Sequence, residues 1–462
     1  MDHFDPDAFQ RIHESGEQLV SVHLNTEKPV HFKDISYAEK TDTSLDFAGK
    51  VPWASDAYYL RSRPSFTMDP LFHAGAYYVQ EASGMFVSYV IRKIADTDQK
   101  LKVLDLCAAP GGKSTLIQSL ISPKSLLLSN EVIKSRVPVL TQNMTKWGRA
   151  NGIVSNNDPS QFRRIPEYFD IILVDAPCSG SGLYRKDPEA AATWSPELVK
   201  LCSQRQQRIL SEIWNSLKND GFLIYSTCSY SKEENEDIID FLFSQYSCKT
   251  LNLTPDPLWN IVETQSDLAG ALCYRFYPDK LNGEGFFLSV IQKKQKAGLE
   301  KSNHYLADNS IRYDRSIKTG KNRVVSKSVE QQIDGWISDN ELKYVPVEDS
   351  IHAFMPELVN DFEYLKNNLY LKKAGIRIGK AGEREWIPDH ELALTNLLRH
   401  DFPAIDVSKS NALHYLRGNS FDININARGW HTVCFQEQRL GWVKVLDKRM
   451  NNYYPKSWRI RQ

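Results

Sequence analysis

A doubly wound α/β domain is predicted for the middle of this 462-residue chain, on three observations. Short apolar runs recur at 101–106, 125–130, 152–155, 170–175, 221–226 and 285–291, separated by helical segments. Runs that are apolar throughout fit a parallel sheet covered on both faces. Second, Leu101–Thr115 (Leu-Lys-Val-Leu-Asp-Leu-Cys-Ala-Ala-Pro-Gly-Gly-Lys-Ser-Thr) passes from an apolar strand through a small-residue turn into a helix starting near Lys113. Such a turn makes a crevice where a nucleotide can meet backbone N–H groups unobstructed by side chains. Third, Ser231-Lys-Glu-Glu234 has the spacing of a capping box, which predicts a helix directly after the 221–226 strand.

The segments are taken in order. Residues 1–95 read as a mixed α+β extension. Phe9 and Ile12 begin a helical pattern, turns and short strands follow to Pro64, and His73–Met85 leads into an apolar helix with Phe86, Val87, Tyr89, Val90 and Ile91. Gln80 and Glu81 read there as helix-start residues rather than catalytic ones. Residues 96–292 hold the alternating domain. From Ile291 to Glu330 ten Lys or Arg stand against four Asp or Glu, so 293–330 reads as a basic, solvated linker, with phosphate contact as the alternative. Apolar structure resumes through Leu369–Gly379, and 331–462 reads as a C-terminal β-rich region. Its last stretch, His431–Gln462, has seven Lys or Arg against two acids, interleaved with Phe435, Trp442, Tyr453, Tyr454 and Trp458. Basic residues among aromatics suit RNA. The aromatics themselves read mostly as the core of a small β-barrel whose surface carries the basic groups.

Composition narrows the class. With 57 Lys or Arg against 57 Asp or Glu the formal net charge is zero, so a nucleic-acid surface must be a local patch. No apolar run approaches the ~18 residues needed to span a bilayer, and Met-Asp-His-Phe-Asp-Pro-Asp is unlike a signal peptide. A cytoplasmic protein without membrane contact is expected. Seven cysteines, an odd number without metal-ligand spacing, predict reduced thiols and no metal. Cys202, Cys248, Cys273 and Cys434 are expected to fill core.

Ligands of doubly wound sheets sit beyond the carboxyl ends of the strands. Those ends carry Asp105, Glu131, Asp158, Asp175 and Cys228. Gly112-Lys113-Ser114 resembles the end of a P-loop, but that motif needs a glycine where Cys107 stands. A nucleoside-type cofactor is therefore expected rather than a nucleoside triphosphate. Glu131 lies twenty positions after Gly111, the distance at which an acid accepts hydrogen bonds from a ribose. Asp175-Ala-Pro-Cys-Ser-Gly-Ser-Gly182 and Ser226-Thr-Cys-Ser-Tyr230 put Cys178 and Cys228 on neighbouring strand tips. A disulfide, a metal pair or two catalytic groups could explain them. Without Cys-x-x-Cys or zinc spacing, catalysis is the better explanation.

With both cysteine segments placed, the chain resembles the Nop/Sun family of RNA cytosine-5 methyltransferases. Asp105-Leu-Cys-Ala-Ala-Pro-Gly-Gly-Lys113, Asp175-Ala-Pro-Cys-Ser-Gly180 and Ser226-Thr-Cys-Ser229 carry the likeness, supported by Tyr78-Val-Gln-Glu-Ala-Ser83 and Arg185-Lys-Asp-Pro188. The C-terminal extension makes it most similar to the bacterial RsmF-type 16S rRNA enzymes, whose tail includes a PUA-like barrel. The resemblance implies a Rossmann-like class I domain that binds S-adenosylmethionine against Ala108, Ala109, Pro110, Gly111, Gly112, Lys113 and Ser114. It places Glu131 on the ribose, Asp158 near the adenine and Asp175 at the edge of both cofactor and base. Cys228 matches the nucleophile and Cys178 the cysteine that helps release product. Cys107 departs from the small residues commoner in that turn and is expected to be buried and inert.

The chemistry asks for these groups. Addition of the Cys228 thiolate to C6 of cytosine turns C5 into a nucleophile. A thiol of pKa about 8.5 must be held partly ionised by its surroundings. Asp175, if protonated, can support N3, and Cys178 or a water it orients can take the C5 proton. The target base must leave its stack at a cost of a few kcal/mol, which the C-terminal region can help supply. The implied partner is rRNA, in a subunit or assembly intermediate, with the protein as a monomer. Alternatives are a tRNA cytosine-5 methyltransferase and a non-catalytic RNA-binding assembly factor. DNA cytosine-5 enzymes use the Pro-Cys cysteine as nucleophile, so the cysteine pair points to RNA.

Overall fold

The computed structural model describes residues 5–16, 18–29, 45–186, 188–295, 331, 333–338, 341–382, 385–421, 428–446 and 449–461. All but the first few residues of the basic linker expected at 293–330 lie outside the described residues.

The N-terminal part opens with a helix, Pro6–Glu14. The Asp5 carboxylate caps it by accepting from the Asp7 and Ala8 N–H groups. An antiparallel sheet follows, of β1 (Val20–Leu24), β2 (Phe47–Lys50), β3 (Ala57–Leu60) and β4 (Tyr77–Val79), in the order β2-β3-β1-β4. Glu81 does stand at a helix start. It accepts from the N–H of Ser83 at 2.8 Å and of Gly84 at 2.9 Å, just before the helix Phe86–Ile94. It also accepts from the Glu284 N–H at 2.9 Å, tying this corner to a loop two hundred residues away.

The central sheet contains β5 (Lys102–Asp105), β6 (Leu126–Asn130), β7 (Gly152–Ser155), β8 (Phe169–Asp175), β9 (Leu217–Thr227), β10 (Cys248–Thr250), β11 (Val262–Gln265), β12 (Leu272–Phe276) and β13 (Phe286–Lys293). Strands β5 to β9 are parallel. The chain winds from β5 through β6 to β7, then crosses back to β8 and β9 on the other side of β5. The strand order therefore reverses between β5 and β8, and a crevice opens there. All six apolar runs are strands. The last, however, is antiparallel to β9; it also pairs antiparallel with β12, from which the chain turns straight back between Phe276 and Phe286. Leu104, Leu128, Ile172 and Tyr225 bury on one face beneath the helices Pro196–Ile213 and Glu236–Gln245. Val103, Leu127, Leu173 and Ile224 bury on the other beneath Phe86–Ile94 and Gly112–Leu120.

The C-terminal part adds β14 (Lys343–Val347), β15 (Ser350–Phe354), β16 (Leu371–Ala374), β17 (Ile376–Ala381), β18 (Trp386–Pro388), β19 (Ala404–Asp406), β20 (Gly429–Phe435), β21 (Gln438–Val445) and β22 (Met450–Asn452). Strands β14-β15-β17-β18 form one sheet and β19-β20-β21-β22 another. Strand β16 belongs to neither. It pairs antiparallel with β7 and extends the central sheet. Of the tail aromatics, Phe435, Trp442 and Tyr454 are buried, as the barrel reading expects, whereas Tyr453 is exposed and Trp458 half-buried. No helix among the described residues is long and apolar enough to cross a membrane.

Candidate active site

The turn after β5 is fastened to the strands on both sides. The Leu106 N–H donates to the Leu173 carbonyl at 2.9 Å, and the Ala108 N–H to the Asn130 carbonyl at 2.8 Å. Gly111 sits at φ +116° as the N-cap of Gly112–Leu120, in the left-handed region that favours glycine. A Cβ at Gly112 would lie 3.1 Å from the Tyr78 ring. The Ser114 hydroxyl donates to Asp105 at 2.6 Å, and the second carboxylate oxygen, Oδ1, is buried without a hydrogen-bond partner. Burial, opposed by the Ser114 bond, raises Asp105 to about 7.

Glu131 and Asp158 both lie at strand ends on the β6–β7 side. Glu131 is buried at the end of β6. One of its oxygens accepts from the Ile133 N–H at 2.8 Å, and the other faces Arg136 at 3.3 Å. Arg136 also donates to the Ala109 carbonyl, closing a loop from the turn to Glu131. Val132 and Ile133, just beyond, are exposed. Asp158 follows β7 and accepts from the Ser160 N–H at 3.0 Å and hydroxyl at 2.7 Å, while Arg208 pairs with it at 3.3 Å.

Across the crevice, β8 ends in Asp175 and β9 in Thr227, and the loops that follow bring the Cys178 and Cys228 sulfurs to 3.2 Å. Both thiols are free and half-buried. Lys113, expected on the cofactor, points to this side. Its ammonium donates to Asp175 Oδ2 at 2.7 Å, and the Ser226 hydroxyl donates to Oδ1 at 2.8 Å. Burial alone would depress Lys113, but Asp175 and Asp105 leave it above the ordinary lysine value. The contact with Cys228, together with burial, pushes the Cys178 thiol well up. Cys107 is half-buried rather than buried. Burial and the acids around it nevertheless raise its thiol far out of the reactive range. Among the described residues no group of three or more His, Cys, Asp or Glu is placed to hold a metal.

Two sets of residues escaped the sequence reading. Glu234, read as the acid of a capping box, caps nothing. The Ser231 side chain makes no cap bond, and the helix begins later, at Glu236. Glu234 is instead fully buried between the two cysteine loops. The other set is a relay of amides. The Tyr370 N–H donates to Asn157 Oδ1 at 3.0 Å, the Asn157 N–H to Asn130 Oδ1 at 3.0 Å, and the Asn130 side chain to the Leu106 carbonyl at 3.2 Å. It connects the residue before β16 to the turn after β5.

Three family models match the chain. That of the 16S rRNA methyltransferase RsmB/F covers residues 93–292. The N-terminal domain of 16S rRNA methyltransferase RsmF matches residues 1–82, and the methyltransferase RsmF PUA domain matches residues 402–460. The chain belongs to the RsmB/F methyltransferase family. It is 29% identical over 423 residues to a ribosomal RNA small subunit methyltransferase F of Escherichia coli O1:K1 / APEC, spanning 88% of this chain and 84% of that protein. The protein of the same name from Aliivibrio salmonicida is 28% identical over 451 residues, 95% of this chain and 90% of its own. A solved methyltransferase homolog protein from Pyrococcus horikoshii has 28% identity and a TM-score of 0.50, covering 62% of this chain and 90% of that one.

As an RsmB/F family member with this doubly wound sheet, the protein uses S-adenosylmethionine. The residues of the crevice suit that group. Asp105 Oδ1 is a buried acceptor without a donor, Glu131 presents a second buried acid at the next strand end, and exposed Val132 and Ile133 offer an apolar rim. A cationic, hydroxyl-bearing nucleoside satisfies such a set.

Asp105 makes the family member's stability depend on pH in a defined direction. The folded state holds a proton to about pH 7 that the unfolded chain releases near 3.8, so this group's contribution is complete below pH 4 and is lost as pH rises toward 7. The loss amounts to at most about 4 kcal/mol. Asp105→Asn is expected to flatten that segment of the Tm–pH curve of the cofactor-free protein, measured by calorimetry. Parallel curves for the two proteins would contradict it.

Proposed function

We propose that the protein methylates C5 of a cytosine in 16S rRNA through a covalent adduct between Cys228 and C6 of the base. The observation that carries this reading is the pair of free sulfurs 3.2 Å apart on the tips of β8 and β9, beside the Lys113–Asp175 ion pair. The family and the curated relatives support 16S rRNA as the substrate.

S-adenosylmethionine, held by the 108–114 turn with Asp105, Glu131 and Asp158, supplies an electrophilic methyl group. The chain's own residues do the rest. Cys228 adds to C6, and the ring electrons move to C5 as an enamine. Asp175 is assigned to the N3 edge. Both its oxygens accept hydrogen bonds, one from the Lys113 ammonium at 2.7 Å, so the pair brings a positive charge to the ring edge where negative charge develops. Once C5 carries its methyl, Cys178 takes the C5 proton, the C5–C6 double bond re-forms, and the Cys228–C6 bond breaks. Exposed Tyr453 and the basic residues around β20–β22 lie on the PUA domain, where unpaired bases and phosphates find partners.

The test is bisulfite sequencing of 16S rRNA and tRNA from cells with and without the gene. At least one protected cytosine in 16S rRNA is expected to lose protection in the deletion. Loss confined to tRNA would move the assignment to that substrate, and no loss in either pool would refute cytosine-5 methylation.

A further inference from the structure

We propose that Glu234 is a positioning residue whose buried carboxylate holds the two cysteine loops in one register, so that Cys178 and Cys228 act as a pair. The inference rests on the two-cysteine chemistry proposed above. It assigns a residue that neither forms a bond to the base nor touches the cofactor turn.

The geometry points to this role directly. Glu234 Oε1 accepts from the Ser179 N–H at 2.8 Å, and Oε2 accepts from the Ser179 hydroxyl and the Ser229 hydroxyl, both at 2.5 Å. Ser179 follows Cys178, and Ser229 follows Cys228. One carboxylate therefore joins the residues next to each sulfur. Gln206, on the helix behind, donates to Oε1 at 3.4 Å and to the Pro177 carbonyl at 3.1 Å, securing the first loop from the other side. The second loop is closed onto the first by the Gly182 N–H, which donates to the Cys228 carbonyl at 2.6 Å. A carboxylate suits this place because it only accepts, on two oxygens with about four lone-pair sites, and every neighbour named is a donor.

The cost of this placement is visible in the backbone. Burying a carboxylate is unfavourable unless it is fully hydrogen-bonded. The chain also gives up a capping interaction to bury it. A tight turn, Lys232–Glu234, precedes Asn235 at φ −121°, ψ −100°, and only then does the helix begin. Asn235 is used in the same way, accepting from the Thr227 hydroxyl at 2.6 Å and donating to the Ser229 carbonyl at 2.7 Å. The whole segment after Cys228 thus serves the loops rather than the helix. The charge has an effect of its own, since Glu234 is among the groups that raise the Cys178 thiol, after Cys228 and burial.

The test uses the full-length protein and two independent readouts. The first is single-turnover methyl transfer to 16S rRNA. Glu234→Ala is expected to slow it by about 10²-fold, the scale on which a misplaced reacting group costs rate. The Kd for S-adenosylmethionine and the KM for RNA should stay within about threefold. Glu234→Gln is expected to recover to within about tenfold of wild type, because its carboxamide can accept on one side and donate to a rotated serine hydroxyl on the other.

The second readout is independent of methylation. Diamide takes two electrons and two protons from a thiol pair, its N=N bond becoming a hydrazine as the S–S bond forms. In the wild-type protein Cys178 and Cys228 should cross-link rapidly, as identified by peptide mass spectrometry, and in Glu234→Ala about tenfold more slowly. Ser229→Ala severs the same bridge with Glu234 in place and should also slow cross-linking, which covers the case in which Glu234→Ala does not fold. Cross-linking at the wild-type rate in a folded Glu234→Ala or in Ser229→Ala overturns the proposal. So does a loss of cofactor affinity as large as the loss of rate, which would mark a merely structural residue. If Cys228→Ala proved active, the two-cysteine chemistry would fail while the cross-linking rates still decided whether Glu234 sets the loops.

Discussion

Cys228→Ala is expected to abolish methyl transfer to RNA, by a factor of about 10⁴ or more, the scale on which loss of a covalent nucleophile is felt. Without the sulfur at C6, C5 of cytosine stays part of an electron-poor aromatic ring, and positioning alone does not make it attack a methyl group. The fold should be indifferent to the change. Cys228 is half-buried, so removing its sulfur opens little closed core. Its carbonyl, which accepts from Gly182, is retained. Cofactor affinity by calorimetry should stay within about twofold, because the 108–114 turn hangs on β6 and β8 through main-chain bonds that do not involve Cys228. Transfer of labelled methyl to RNA at more than about a hundredth of the wild-type rate would show that C5 is activated some other way.

The strand ends to which this chemistry is assigned were legible because doubly wound sheets have a simple rule. Apolar runs mark the strands, ligands gather at their carboxyl ends, and Asp105, Glu131, Asp175 and Cys228 follow from counting along them. What the rule leaves out is what each side chain turns toward. Lys113 sits in the cofactor turn by sequence, yet its long stem carries the ammonium to Asp175 on the cysteine side. Ser231 and Glu234 satisfy a local pattern for helix capping, but Glu234 instead joins nearby Ser229 to Ser179, in a loop some fifty residues earlier in the chain. Local spacing cannot register a competitor that only the fold brings near.

Strand β16 was out of reach for a related reason. Leu-Lys-Lys-Ala has no pattern distinguishing a strand of the central sheet from one on any surface, and its partner β7 lies more than two hundred residues earlier. The consequence for function is tangible. Through Tyr370, Asn157 and Asn130 the chain that leads to the PUA domain is hydrogen-bonded to the carbonyl of Leu106, at the mouth of the cofactor turn. Strand β16, which precedes the PUA-matched residues 402–460, is thereby part of the same sheet as β5 and the turn that follows it.

Cys178→Ala is expected to do the opposite of Cys228→Ala: chemistry begins and does not finish. The contact with Cys228 is the largest of the influences that raise the Cys178 thiol, followed by burial, the Cys228 charge and Glu234. Cys178 therefore holds its proton while Cys228 is free. Once the Cys228 sulfur is bonded to C6 it carries no charge and is a poorer acceptor, so both of its contributions fall away. Cys178 then gives up its proton to solvent more readily, leaving a thiolate at the moment a base is needed for the C5 proton. Replacing it with alanine removes that base after the nucleophile has added. A denaturation-resistant protein–RNA adduct should accumulate, approaching one RNA per protein, while multiple-turnover rate falls by about 10²–10³-fold. The double variant lacking both sulfurs should give no adduct. Gel electrophoresis under denaturing conditions reads the result, and recovery of only free enzyme and methylated RNA from Cys178→Ala would mean that another group takes the C5 proton.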